Sequence, residues 1–219
     1  MTRTTILGAL ACAALGVSSV DCALTQKATP ADARYFSPEL PSGQAPTPAV
    51  FTPKPQADGK SYELRLGRVT SGAHLRERIV FRDSKYELGF YEDLRWTERP
   101  DAYLRRALSQ VLFEELGLRS VVSGNAPVLD VELVHFEEVR KPQHVATISL
   151  AFSLRDDRVV RRAQTITLER PIPATEKAEA PAAMAATLGE AMRTAVSQLG
   201  ERVMGELAPP PAVATTPAP

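Results

Sequence analysis

The stretch Val145-Ala146-Thr147-Ile148-Ser149-Leu150-Ala151-Phe152-Ser153-Leu154-Arg155 decides the fold. Ala146, Ile148, Leu150, Phe152 and Leu154 alternate with Val145, Thr147, Ser149, Ala151 and Ser153, the period of a strand with one buried face. Arg155-Asp156-Asp157-Arg158 reads as a hairpin turn, without the Asn-Gly or Asp-Gly of the tightest type. Val159 to Glu169 then returns antiparallel. On the N-terminal side, Val128 to Val139 sets Leu129, Val131 and Leu133 on one face and Asp130, Glu132 and Val134 on the other.

Further toward the N-terminus, Tyr62-Glu63-Leu64-Arg65-Leu66-Gly67-Arg68-Val69 alternates in the same way. Arg78 to Arg82 and Tyr86 to Tyr91 form two short predicted strands around the turn Asp83-Ser84-Lys85. Pro100 opens a predicted helix running to Leu116. Its stripe is Tyr103, Leu104, Ala107, Leu108, Val111, Leu112 and Leu116, with Gly117 as the stop. A second helix, Ala180 to Leu207, carries Met184, Leu188, Met192, Ala195, Val196, Leu199, Val203 and Leu207. Half-polar strands with two one-sided helices predict a two-layer α+β domain. Both amphipathic helices cover one face of a mostly antiparallel sheet, and the other face is left to water or a partner.

The chain of 219 residues is 44% hydrophobic with 26 basic and 26 acidic residues, so it offers no electrostatic case for nucleic acid. Both cysteines, Cys12 and Cys22, lie in the first 22 residues, which removes disulfides and thiolate chemistry from the domain. Arg3 followed by an apolar run to Val20 reads as a secretory signal peptide over 1–21. The run is shorter than the ~20 residues of a spanning helix. Cys22 is the expected lipid-attachment residue of a bacterial lipoprotein, with acyl chains such as palmitate. Asp21 and Ser19 depart from the usual lipobox. Cys12 has a better local match in Ala9-Leu10-Ala11, but cutting there leaves too short an apolar core. Ordinary cleavage to a soluble exported protein is the remaining alternative. Residues 22–60, with prolines at 30, 38, 41, 46, 48, 53 and 55, read as a Pro-rich tether. The domain is expected over 61–207, and 208–219 is expected to be a disordered Pro/Ala tail.

The chemistry-bearing residues form no catalytic pattern. His74, His135 and His144 lack the i, i+4 spacing of a helical metal site. His74 is expected to be solvated in the loop after Gly72, and His135 at a core edge or exposed. Glu137-Glu138 are neighbours on a strand and point to opposite faces, while Glu114-Glu115 fit a solvated helix flank. No Gly-x-Ser-x-Gly elbow or phosphate-cradling glycine loop is present. The segment Tyr86 to Trp96 holds the only tryptophan interleaved with charges. Tyr91, Arg95 and Trp96 are therefore candidates for partner binding, since Tyr, Trp and Arg anchor interfaces. Trp96 also suits a core cap at a strand-to-helix junction, and both readings hold if Tyr91 and Arg95 face out.

Cys22-Ala23-Leu24, Tyr35-Phe36, the strand Tyr62 to Val69, Ile79-Val80-Phe81-Arg82-Asp83-Ser84, and Tyr91-Glu92 with Arg95-Trp96-Thr97-Glu98-Arg99-Pro100 occur in an order that resembles a known family. These are the ABC-type transport auxiliary lipoproteins, the PqiC/YmbA-like proteins. The resemblance runs from Cys22 to about Leu207. It implies a non-enzymatic periplasmic subunit of an Mce-type intermembrane lipid-transport system, with no cofactor beyond covalent lipid on Cys22. The implied partners are an Mce-domain protein with its ABC permease and ATPase. The implied location is the periplasmic face of the outer membrane, which Ala23 fits, and a homo-oligomer is compatible with it. The alternatives are a lipid-binding periplasmic carrier or chaperone, and a free-standing structural envelope lipoprotein.

Overall fold

The computed structural model describes residues 32–38 and 62–208. The signal peptide, Cys22 and the stretch after Ala208 lie outside the described residues. The elements run β1 (Arg34–Phe36), β2 (Glu63–Ser71), β3 (Arg78–Arg82), β4 (Leu88–Trp96), α1 (Pro100–Ser109), β5 (Arg119–Ser120), β6 (Val128–Val139), β7 (Val145–Arg155), β8 (Val160–Pro171) and α2 (Ala180–Leu207).

The decisive stretch is β7, flanked by antiparallel β6 and β8, and its Ile148, Leu150 and Leu154 are fully buried. The other edge of β6 is shared by two strands in succession. β2 runs parallel along Leu129 to Leu133, then β3 runs parallel along Glu138 and Val139. β4 lies antiparallel beyond β3, and β1 lies parallel beyond β4. β5 adds a short parallel strand beyond β2. The long ladders are antiparallel as expected, and the parallel pairings are short.

Both helices lie on the same side of the sheet, α2 over β7 and β8 and α1 beside β2. Met184, Leu188, Ala195, Leu199 and Val203 of α2 meet Leu129, Leu133 and Phe136 of β6 in one core. Each fully buried Leu or Ile there contributes roughly 1.5–3 kcal/mol. Among the described residues no helix is long and apolar enough to cross a membrane.

The structure differs from the sequence reading in three places. Residues read as tether form β1, whose Tyr35 opposes Arg95, so the folded body includes Asp32–Pro38 as well as 62–208. The first helix changes character after Ser109. Gln110–Glu115 is π-helical, with the Leu116 N–H donating to Val111 O at 2.9 Å. This wider turn sets Val111 and Leu116 against Gly200 of α2, where a Cβ would come within 2.7 Å of Leu116 Cδ1. Gly117, at φ 67°, then ends the helix in the left-handed region as expected. Finally, β4 continues to Trp96, and Tyr86 lies in the turn before it.

Candidate partner-binding surface

β3, β4 and the end of β6 build a polar corner around the residues singled out in the sequence. Between Arg78 and Val80 the β3–β4 register moves from Arg95 to Phe90, so β4 carries three extra residues. A bulge of this kind leaves main-chain groups without ladder partners. Arginines satisfy them here. Arg78 donates from Nε and Nη2 to the Tyr91 carbonyl at 3.3 Å each, and Arg95 Nη1 donates to the same oxygen at 3.1 Å. Arg95 Nη1 also donates to Leu94 O at 2.9 Å. Arg95 is therefore only half-exposed and holds the bulge in place.

Trp96 is 1% exposed. Its ring lies 5.2 Å from that of Phe136 and 6.5 Å from that of Tyr103. The Tyr103 hydroxyl in turn sits 2.6 Å from Thr97 Oγ1 and accepts the Glu98 N–H at 2.9 Å, fixing the entry to α1. Trp96 caps the core and is removed from any exposed contact surface, because its two aromatic neighbours enclose it.

Tyr91 faces the corner. Its hydroxyl donates to Glu138, and its ring meets Phe81 edge-on at 5.1 Å. Burial, reinforced by the hydrogen bond to Glu138, pushes the phenol up to about 12. The Glu138 carboxylate also accepts from His144 Nε2 at 2.6 Å and Arg140 Nε at 3.4 Å. The Arg140 guanidinium stacks over Phe81 at 3.5 Å and over Tyr91 at 4.8 Å from the ring centroids, with Asp83 3.6 Å away. A guanidinium held over two rings combines charge, planarity and apolar area.

The opposite face of the same strands holds a second ion pair. Arg82 binds Glu137 through two bonds, of 2.8 and 3.2 Å, and His135 Nδ1 lies 3.3 Å from the same carboxylate. Glu137 and Glu138 thus point to opposite faces, and cations or a hydroxyl occupy both. His74 departs from its expected solvation. Its ring lies over Gly72, where a Cβ would come within 2.9 Å of it, and its Nε2 is buried without a hydrogen-bond partner among the described residues. Burial lowers its pKa, followed by opposing effects of Glu137 (raising) and of His135 and Arg82 (lowering). Among the described residues no group of three or more His, Cys, Asp or Glu side chains could hold a metal ion.

Sequence reasoning missed two residues of this corner. Tyr86, read as the start of a strand, sits in the β3–β4 turn at 97% exposure, where Ser84 Oγ accepts the N–H groups of Tyr86 and Glu87. Its position between Asp83-Ser84-Lys85 and the next strand was a signal that it belonged to the turn. Arg140 gave no local signal, because its aromatic partners lie on β3 and β4.

No curated protein matches the chain at a significant level. Among solved structures, protein XCC0632 from Xanthomonas campestris is similar with a TM-score of 0.60 at 20% identity, covering 67% of this chain and 86% of that one. An uncharacterized protein aligns with a TM-score of 0.59 at 14% identity, over 78% of this chain and 99% of its own. The hypothetical protein CT253 from Chlamydia trachomatis aligns with a TM-score of 0.50 at 8% identity, over 68% and 99%. At these identities the likenesses establish the fold alone. The family model for the ABC-type transport auxiliary lipoprotein component matches residues 44–201, most of the chain, and the protein belongs to that family.

Proposed function

We propose that this chain is a non-catalytic, lipid-anchored subunit at the periplasmic face of the outer membrane that docks the Mce-domain component of an ABC-type lipid-transport system. The observation that carries the docking reading is the corner formed by Tyr86, Tyr91, Arg95 and Arg140. It presents an Arg140 guanidinium already oriented by two rings, so little of that side chain's entropy is lost when a partner covers it, and Tyr86 stands exposed in the β3–β4 turn. Trp96 acts from beneath, holding β4 against the core.

Lipidation at Cys22 gives the anchor, and β1 sets its length. The sequence alone allowed a tether of ~100 Å over about 35 residues. With Asp32 at the start of the folded body, nine residues separate it from Cys22, and the reach falls to about 35 Å even when fully extended. Such a short lead holds the domain close to the bilayer, so an Mce partner must approach the outer membrane to reach it.

Crosslinked affinity purification of the full-length protein from its own envelopes tests this reading. An Mce-domain protein with its permease and ATPase is expected, and Arg140→Glu is expected to lower the yield without unfolding the domain. Recovery of the protein alone contradicts the proposal.

A further inference from the structure

We infer that the groove at the start of β6 is a binding site for a phosphate ester carried on an apolar chain, the chemistry of a phospholipid headgroup. The groove has a volume of about 720 Å³ and is lined by Arg65, Arg68, Arg105 and Arg155 against one carboxylate, Asp130. The chain as a whole balances 26 basic with 26 acidic residues, so this excess is local.

The sequence builds the groove with a bulge. Leu66 opposes Leu129 but Val69 opposes Val131, so β2 carries one extra residue at Gly67-Arg68. Glycine leaves room for the carboxylate there, because a Cβ on Gly67 would lie 2.2 Å from Asp130 Oδ1 and displace it. The Arg68 N–H donates to that oxygen at 2.7 Å, and Arg155 Nε donates to Oδ2 at 3.2 Å. Asp130 is thus committed on both oxygens. Arg105 makes one long bond, 3.5 Å, to the Gly67 carbonyl. The guanidiniums of Arg65 and Arg68 have no hydrogen bond or ion pair among the described residues.

Guanidinium forks match phosphate oxygens in pairs, and gathering several in one place is costly without an anion. The rest of the wall is mixed, with Ser109 and Ser120 beside an apolar strip. Leu66, Phe113 and Val121 form that strip, and Val122 beside them is 92% exposed. The volume exceeds what a bare phosphate fills and falls in the range of small-molecule sites, ~300–1,000 Å³. An anionic head with an apolar continuation matches the arginines and the strip. The groove sits at the opposite end of β6 from the Tyr91 corner, roughly 30 Å along the strand, so either site can fail its test without the other.

The test uses the full-length protein in non-ionic detergent, with the arginine Nε–Hε signals followed by NMR. The probes are dihexanoyl phosphatidate, glycerol 3-phosphate, dihexanoyl glycerol as the uncharged tail control, and an oligoglutamate peptide. Saturable shifts with phosphatidate, weakened at least tenfold in R65E/R68E and unchanged in R193E, are expected. Thermal melts confirm that both variants fold, and R65Q/R68Q serves if the double reversal does not. Tighter binding of phosphatidate than of glycerol 3-phosphate identifies a lipid headgroup as the source, and equal binding overturns the apolar-chain assignment in favour of free phosphate esters. Absence of saturation by either, equal binding by R65E/R68E, or tighter binding of oligoglutamate overturns the inference.

Discussion

Gly189, in the middle of α2, lies directly under the carbonyl of Pro38, and a Cβ there would come within 2.0 Å of that oxygen. A glycine inside a helix costs about 1 kcal/mol relative to alanine. Here it makes room for Pro38, just after β1, to lie against the helix.

Gly189→Ala is therefore expected to gain helix propensity and lose the seat of the N-terminal segment. Limited trypsin digestion reads this directly, through cleavage at Arg34. Cleavage should quicken roughly tenfold, which corresponds to about 1.4 kcal/mol of local stability. An unchanged rate would show that β1 is held without that seat.

Arg82→Ala leaves the buried Glu137 carboxylate without its bidentate partner. Breaking such a pair costs ~3 kcal/mol, because the remaining charge stays buried. Chemical denaturation should show that loss, and Arg82→Ala/Glu137→Gln should recover part of it. A single-variant loss under 1 kcal/mol would mean that water or His135 already satisfies the carboxylate.

Tyr91 makes a prediction at alkaline pH. Its folded pKa lies above its ordinary value of 10, at about 12. The protonated phenol therefore stabilises the fold fully below pH 10, and the contribution is lost as pH rises through 12. Tyr91→Phe should flatten the decline in stability over that window. Glu138→Gln should let the phenol ionise earlier in an ultraviolet titration.

His74 acts at the acid side. Its pKa is lowered, so the neutral ring stabilises the fold above pH 6.5, and the contribution is lost as pH falls through the lowered value. His74→Asn should reduce the acid sensitivity of the melting temperature. The charges facing the ring, Glu137, His135 and Arg82, remain in that variant. An identical acid profile in wild type and variant would show that His74 does not set the acid sensitivity.

The core of the fold was legible because period and burial coincide in β6, β7 and α2. Leu188, Leu199 and Val203 fall on the helix stripe, and Ile148 and Leu150 on the strand face, as their spacing requires. β1 was hidden because three residues, Arg34–Phe36, are too few to show a period and prolines surround them. The π-helical turn packs against Gly200 on the distant helix α2, a contact that no local pattern reveals. The candidate partner surface was half legible. Tyr91 and Arg95 lie together, but the same aromatic and charged composition also described a core cap, and Trp96 took that role. Arg140 and the arginine groove arise from strands brought together only by the sheet order.

Site-specific photocrosslinking from position 86 in living envelopes tests the docking claim most directly. A photoreactive phenylalanine analogue replacing Tyr86 sits at the exposed tip of the corner, and the same analogue at Val160 on the exposed edge strand β8 serves as the comparison. An adduct with the Mce-domain protein from position 86, diminished by Arg140→Glu, is expected. An adduct from position 160 alone, or none from either position while the protein remains folded and membrane-bound, would contradict the docking claim.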